Sequence, residues 1–202
     1  MNPSAPPPLP KPPHASLNRR VKLLIALALV PAICFGAFVV LRVCGLIRPF
    51  LVPTGAMAPA IQPGDHILMQ NFSYLSRQPR RGDIAVFKPD GIALLSTGAF
   101  YVKRIAGEQG DHLRISEGKL FINGNHVSLS NSCGEIAYDS PPASVRVSMQ
   151  TDVTVPSGCY FVLGDNSTNS LDSRFFGSVP RENIIGRVSF CYWPPGRIAK
   201  VK

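Results

Sequence analysis

The hydrophobic pattern divides the chain into two unlike parts. Residues 23–41 form one apolar run, LLIALALVPAICFGAFVVL, without a charged side chain. At the helical rise per residue, such a run gives a helix of roughly 28 Å, close to the thickness of the hydrocarbon core of a bilayer. From residue 50 onward, apolar residues occur instead in short stretches separated by turn-forming residues. The first part predicts a membrane-spanning helix, and the second predicts β-strands.

The second part contains several stretches with β-strand character. They lie at 83–87, 100–106, 112–116, 119–123, 145–149, 159–164 and 184–193. The Ser-Glu-Gly sequence between the third and the fourth predicts a β-hairpin. No stretch after residue 50 has the pattern of an amphipathic helix. The expected fold is therefore mostly β, an antiparallel domain with a folded or barrel-like sheet, preceded by a single N-terminal transmembrane helix.

Basic residues on both sides of the apolar run bear on its orientation. Arg19, Arg20 and Lys22 precede it, which places the N-terminus in the cytoplasm by the positive-inside rule. Arg42 and Arg48 follow the run and weaken that prediction. A cleaved signal peptide is the alternative, but the run is longer than the apolar segment of a typical signal peptide. We therefore favour an uncleaved, single-pass anchor in the inner or plasma membrane.

These patterns predict three parts. Residues 1–17 are rich in proline, which favours a solvated polyproline II tail. We favour an inert tail over the alternative, a ligand for proline-binding domains. Residues 18–44 form the anchor with its basic flank. Residues 45–202 form the extracytoplasmic β domain, with a loop-rich insertion at about 128–152.

Charge and cysteine content narrow the classes of partner. The net charge is +9, and much of the surplus lies before Asp65, the first acidic residue. This placement suits contact with membrane lipid, and no basic stripe with interleaved aromatics indicates nucleic-acid binding. The five cysteines and four histidines show no metal-ligand spacing, so we expect neither a metal nor a cofactor. In an oxidising compartment, Cys133 and Cys159 are the expected disulfide.

Lys103 is the most informative charged residue. Strand alternation in FYVKRIAG puts it on one face and Arg104 on the other, although both faces are substantially apolar. Lys103 is either a solvated lysine at a sheet edge or a buried one. If Lys103 is buried, desolvation lowers its pKa and lets the neutral amine accept a proton from a hydroxyl, as in a Ser/Lys pair. Further on, Asp172 and Arg174 would share one face of a strand and pair there, either at the surface or beside a site.

Four segments in this order resemble those of type I signal peptidases, the membrane-bound Ser/Lys endopeptidases. They are PTGAMAPAIQPGD (53–65), RGDIAVF (81–87), YVKRIAGEQGD (101–111) and GDNSTNSLDSRFFGSVP (164–180). The resemblance runs from about residue 20 to about residue 195. It implies a signal-peptidase-like β domain and removal of signal peptides from secretory preproteins after an Ala-x-Ala sequence.

The resemblance also implies roles for individual residues. Lys103 would be the general base, Thr54 would help to hold the oxyanion, and Ser170 would orient the lysine. Ala56 occupies the position of the nucleophilic serine. The residues with structural roles near the site would be Met57, Pro59, Asp165, Asn166, Asp172 and Arg174.

Ala56 is the main departure from the family pattern. A methyl group cannot attack a carbonyl, and the loss of the serine from a subtilisin-type triad lowers kcat about a million-fold. Thr54 is a poor substitute, since its hydroxyl would lie roughly 6–7 Å along the chain and attack needs about 3–3.5 Å. The alanine is consistent with an engineered change, a natural catalytically dead relative, or a sequence error.

Three functions fit these features. The first is a signal peptidase whose nucleophile is absent from this copy. The second is a non-catalytic pseudo-peptidase that binds signal peptides or assists an active partner. The third, a processing peptidase for plasmid-transfer proteins, fits the complete box at 164–180 less well. The apolar stretch at 49–52 predicts a site close to the lipid, with a rim that dips into the headgroups.

Overall fold

The computed structural model describes residues 18–131, 134–138 and 149–201. The predicted proline-rich tail and most of the predicted strand at 145–149 lie outside these residues. The chain divides after Leu41 into two compact units. The domain boundaries inferred from the sequence, at 17/18 and 44/45, stay predictions.

A single long helix makes up the described part of the first unit and extends into the start of the second. Helix α1 spans Arg19–Val43 and has Pro31 inside it. Its length is roughly 37 Å at the usual rise per residue. Within the described residues, it is the one helix that is long and apolar enough to cross a membrane. The prediction of one N-terminal apolar helix is confirmed.

The second unit is built of short antiparallel strands. They are β1 (Ile47–Leu51), β2 (His66–Gln70), β3 (Ile84–Phe87), β4 (Tyr101–Gly107), β5 (His112–Ser116), β6 (Lys119–Ile122), β7 (Asn125–His126), β8 (Ser130–Asn131), β9 (Gly134–Glu135), β10 (Asp152–Thr154), β11 (Cys159–Leu163), β12 (Val179–Pro180), β13 (Ile184–Trp193) and β14 (Ala199–Lys200). Two four-residue helices interrupt them, α2 (Ser73–Ser76) and α3 (Ser173–Phe176). The expected mostly β, antiparallel fold is confirmed.

The largest sheet has the strand order β1-β2-β13-β3-β4-β11-β12, with β14 also paired to β13. Strand β13 is the longest and pairs with β2 on one side and β3 on the other. Strand β1 lies at the edge, which explains how Pro49 fits within it, because an edge strand has a side that needs no backbone N–H donor. Strands β4 and β11, which carry or precede the residues of interest, are adjacent.

A second sheet, with the order β10-β5-β6-β7, contains the predicted hairpin. Ser116 pairs with Lys119, so the turn consists of Glu117 and Gly118 alone. Both have positive φ, 52° and 72°, as a two-residue type I′ turn requires. The hairpin predicted across Ser-Glu-Gly is confirmed, and the structure adds that its turn has two residues.

The segment after β1 packs against the apolar core through two buried side chains. Met57 is 1% exposed and Ile61 is fully buried. Both belong to an apolar cluster that also contains Ile67 and Met69 of β2. Burial of this cluster fixes the loop that carries residue 56.

The predicted disulfide stays a prediction, because one of its two cysteines is not among the described residues. Cys159 is a free cysteine at the start of β11, only partly buried. Its expected partner, Cys133, lies outside the described residues.

Candidate active site

The segment after β1 is a tight loop held by its own backbone. The N–H of Ala58 donates to the carbonyl of Gly55 at 3.1 Å, and the N–H of Ile61 donates to the carbonyl of Met57 at 2.9 Å. Ala56 lies between these bonds and is 7% exposed. Its own backbone N–H makes no hydrogen bond to the described residues. The loop therefore holds position 56 in a fixed place and leaves one donor there without an acceptor.

A second loop, which follows β11, is bonded to the first. The N–H of Asn166 donates to the carbonyl of Ala56 at 3.1 Å, and its side-chain Nδ2 donates to the carbonyl of Gly55 at 3.2 Å. Gly164 lies at the crossing point. A Cβ atom at Gly164 would stand 2.6 Å from the carbonyl oxygen of Ala56 and would also collide with the side chain of Ser170. Glycine is thus required where these two loops meet.

Lys103 reaches the same place from the sheet. It lies on β4 and is 4% exposed. Two adjoining cavities, of about 400 and 200 Å³, are both lined by Lys103, Ala56, Thr54 and Tyr101. The larger cavity also contacts Ser170. The four residues expected to carry the chemistry are therefore brought together, although they come from three separate segments.

Burial changes the acidity of the lysine. Desolvation lowers the pKa of the Lys103 ammonium from 10.5 to about 8. Asp172 and Asp165 raise it in part, and Arg174 lowers it further. Within the described residues, the ammonium makes no hydrogen bond or ion pair. A lysine in this setting is partly neutral near physiological pH and has a lone pair available to accept a proton. The alternative of a solvated lysine at a sheet edge is wrong.

Two buried ion pairs lie beside Lys103. The guanidinium of Arg174 donates to both oxygens of Asp172 at 2.8 and 2.9 Å, and both side chains are fully buried. Arg104 donates to both oxygens of Asp165 at 2.7 and 2.6 Å. In each case the planar guanidinium matches the carboxylate with two parallel bonds.

The Asp172–Arg174 pair differs from the strand pairing inferred from the sequence. Asp172 is the N-cap of α3, where its side chain accepts a hydrogen bond from the N–H of Arg174, and Arg174 lies in the helix. Oδ2 of Asp172 also accepts a hydrogen bond from the N–H of Gly164 at 3.0 Å. The surface alternative is wrong, because the pair is buried beneath the loop that crosses residue 56.

The other residues with predicted structural roles hold the loops in place, and one of them, Met57, also borders a cavity. Met57 faces the core and also borders the smaller cavity. The carbonyl of Pro59 accepts a hydrogen bond from Arg197 at 3.3 Å. Asn166 holds the backbone of the first loop, as described above. Within the described residues, no group of three or more His, Cys, Asp or Glu side chains is placed to hold a metal ion.

Some residues of the site were not singled out from the sequence. Tyr101 borders both cavities, and Leu171 and Phe175 form an apolar wall of the larger one. Their places within the matched segments were the only available signal. Ser170, which was singled out from the sequence, is 7% exposed, and its hydroxyl has no hydrogen-bond partner within the described residues. The hydroxyl is thus not bonded to Lys103 in this structure, and its role in orienting the lysine stays a prediction. The alternation of apolar and polar residues along a strand does not indicate which side chains from separate segments line a common cavity.

Comparisons with known proteins identify the family of the chain. The model of the family "Signal peptidase, peptidase S26" matches residues 22–193. A probable signal peptidase I-2 from Synechocystis sp. is 36% identical over 148 residues, which cover 73% of this chain and 63% of the relative. Signal peptidase I U from Bacillus subtilis is 31% identical over 188 residues, with 92% of this chain and 95% of the relative covered.

One solved structure is also similar. It is a signal peptidase I from Enterococcus faecalis V583, with 30% sequence identity and a TM-score of 0.41, covering 55% of this chain and 97% of that one. The chain spans 41% to 63% of the length of three of the curated relatives it matches.

Proposed function

The chain belongs to the signal peptidase family, peptidase S26, and we propose that it recognises the signal peptides of secretory preproteins at a membrane surface. In this proposal the β domain works as a Ser/Lys endopeptidase, with Lys103 as general base, Thr54 as an oxyanion donor and Ser170 as the group that orients the lysine. As written, the chain does not cleave these precursors, because residue 56 is an alanine. The observation that carries this proposal is that Lys103, buried and with a lowered pKa, borders the same two cavities as Ala56.

The proposed chemistry requires a hydroxyl at position 56. With serine there, the neutral Lys103 amine takes the hydroxyl proton while the oxygen attacks the peptide carbonyl, and the developing oxyanion accepts hydrogen bonds from Thr54 and the N–H of residue 56. The lysine then protonates the leaving amine, and water hydrolyses the ester in the same way. With alanine, Lys103 has no proton to accept and the first step cannot occur.

Two features support a place at the membrane, helix α1 and an exposed apolar rim of the smaller cavity. We infer that α1 spans the inner or plasma membrane once, with the N-terminus cytoplasmic and the β domain outside, because basic residues cluster before the apolar run. Leu51 and Phe100 border the smaller cavity and are 60% and 42% exposed. An exposed apolar rim of this kind suits contact with lipid headgroups and with the apolar segment of a signal peptide.

A cleavage assay tests the proposal. The full chain and its Ala56→Ser variant are incubated in detergent with a precursor that carries an Ala-x-Ala site, and the products are resolved by mass spectrometry. We expect cleavage by the serine variant and none by the chain as written, a difference of up to about a million-fold in kcat.

The other outcomes are also informative. Equal cleavage by both proteins would contradict the account of Ala56. No cleavage by either, with the precursor still bound, would favour the second candidate, a pseudo-peptidase that holds signal peptides for an active partner. Absence of both cleavage and binding would reject the proposed function.

A further inference from the structure

The ammonium of Lys103 is a buried cation that makes no hydrogen bond or ion pair with the described residues. The two nearest carboxylates are already satisfied, because Asp172 is bonded to Arg174 and Asp165 to Arg104. An unpaired charge in an apolar setting is costly, so any ligand that brings a negative charge to this point gains affinity. Among the described residues, Lys103 borders two cavities through which a ligand can reach it.

The walls of these cavities favour an anion. Neither is lined by an aspartate or a glutamate. Besides Lys103, the polar side chains that line the larger cavity belong to Thr54, Tyr101, Thr168, Asn169 and Ser170. Ala56 borders both cavities. The hydroxyl of Ser170 and the N–H of Ala56 have no partner within the described residues. The residues around Lys103 therefore offer two hydrogen-bonding groups without a partner, and no carboxylate side chain lines either cavity.

Alanine at position 56 changes which ligand fits this junction. A serine hydroxyl would lie between the lysine and the carbonyl of a bound peptide. The methyl group of Ala56 ends one atom earlier, which leaves room for one further oxygen. A carboxylate has that second oxygen on the same carbon, whereas an internal peptide bond has an N–H and a continuing chain there.

We propose that this site selectively binds peptides that end in a free C-terminal carboxylate, the form that a signal peptide has after cleavage. One carboxylate oxygen accepts from the Lys103 ammonium, and the other accepts from Thr54 and the N–H of Ala56. The peptide side chains before the carboxylate occupy the two cavities, so small terminal residues are preferred. This inference rests on the proposed function, since it takes the ligand to be a signal peptide. It states that the chain binds the released signal peptide more tightly than the intact precursor.

The size of the preference follows from the charge. A hydrogen bond between charged groups in a buried site contributes more than a neutral one, and its loss with an amide ligand leaves the ammonium unpaired. We expect the carboxylate form to bind about ten- to a hundredfold more tightly than an otherwise identical amide.

The experiment uses the full chain in detergent and three fluorescent peptides. All share a signal-peptide segment that ends in Ala-Gln-Ala. The first has a free carboxylate, the second a C-terminal amide, and the third continues into a short polar segment, as an intact precursor does. Fluorescence anisotropy gives the three dissociation constants. We expect the first peptide to bind at least about tenfold more tightly than the other two.

Variants identify the group responsible. Lys103→Met should bring the carboxylate and amide peptides to equal affinity, whereas Lys88→Met, a change at an exposed lysine of the same domain, should leave the preference intact. Ala56→Ser should reduce the preference for the carboxylate over the amide peptide, because the added hydroxyl occupies the space of the second oxygen. The comparison of peptides on the unchanged chain stands even if a variant fails to fold.

The outcomes separate the two levels of the proposal. Equal binding of all three peptides to the unchanged chain would overturn the carboxylate preference and leave the proposed function standing. No binding of any peptide would reject both. A carboxylate preference that survives Lys103→Met in a folded protein would also overturn the assignment to this lysine.

Discussion

Lys103 and Arg104 are neighbours on one strand, and both are buried, but the protein treats their charges in opposite ways. Arg104 is bonded to both oxygens of Asp165 and to the carbonyl of Gly82 at 3.0 Å. Lys103, on the other face of β4, has no bonded partner within the described residues and borders two cavities. One cation is part of the framework, and the other is exposed to whatever enters the site.

This contrast separates structural charges from chemical ones. A buried ion pair recovers the cost of desolvation through its hydrogen bonds, and its removal exposes that cost. A buried ion without a partner responds instead by a shift of its pKa, which is the property that acid–base chemistry uses. Replacement by an apolar side chain should therefore lower the free energy of unfolding for the paired cation and raise it for the unpaired one.

The largest effect is expected in the framework. Arg174→Met leaves the fully buried carboxylate of Asp172 without its bidentate partner. We expect the free energy of unfolding to fall by about 3–5 kcal/mol. Denaturant unfolding in detergent, followed by the fluorescence of the single tryptophan, Trp193, measures this change. A loss below about 1 kcal/mol would mean that water reaches the pair and that the framework is less dry than its burial indicates.

An effect of opposite sign is expected at Lys103. Burial lowers the pKa of Lys103 to about 8, so between about pH 8 and pH 10.5 the unfolded chain binds more protons than the native one. The stability of the unchanged chain therefore rises with pH across that window, and the cost of the buried ammonium is fully present below it. Lys103→Met should be more stable by about 1–3 kcal/mol at neutral pH, with the gain lost by about pH 10.5.

The stability of both proteins is measured at several pH values in the same detergent. Besides the lysine itself, Asp172, Asp165 and Arg174 set its charge state, and all three remain in the variant. Lys88→Met is the matched control, since Lys88 is exposed, and its difference from the unchanged chain should not vary with pH. A Lys103→Met variant that is less stable at neutral pH would show that the lysine has an internal counterion after all.

The smallest effect is expected at an exposed pair. His112 contacts Asp152 at 2.7 Å, but their side chains are 51% and 61% exposed. Asp152→Asn should change the free energy of unfolding by less than about 0.5 kcal/mol, because solvent screens such pairs. A change as large as that of Arg174→Met would remove burial as the basis of the comparison.

Much of the fold could be predicted from local patterns. The strands at His112–Ser116 and Ile184–Trp193 begin and end at the predicted residues. Strands β1 and β2 were missed. Strand β1 contains Pro49, which is tolerated only because the strand lies at the sheet edge, and β2 is short with few β-branched residues. Edge position is a property of the assembled sheet and has no local signal.

The site could be predicted only in part. The family segments identified Ala56, Lys103 and Ser170, but their common cavities depend on loops more than fifty residues apart in sequence. The two-residue spacing of Asp172 and Arg174 indicated a strand pair, whereas the pair marks the start of α3. Burial of four charged side chains in one layer follows from how the two loops cross at Gly164, and a charge has no local pattern that shows its burial.

Burial makes Lys103 available as a base, and the site lacks only a hydroxyl for it to act on. The most direct test is the pH dependence of precursor cleavage by the Ala56→Ser variant. We expect kcat/KM to rise with pH and to level off above an inflection near pH 8, which is the pKa of Lys103 in the protein without bound substrate. We also expect Lys103→Met in the same background to abolish cleavage. A rate that does not change between about pH 7 and pH 9, or cleavage that persists without the lysine, would contradict this role of Lys103.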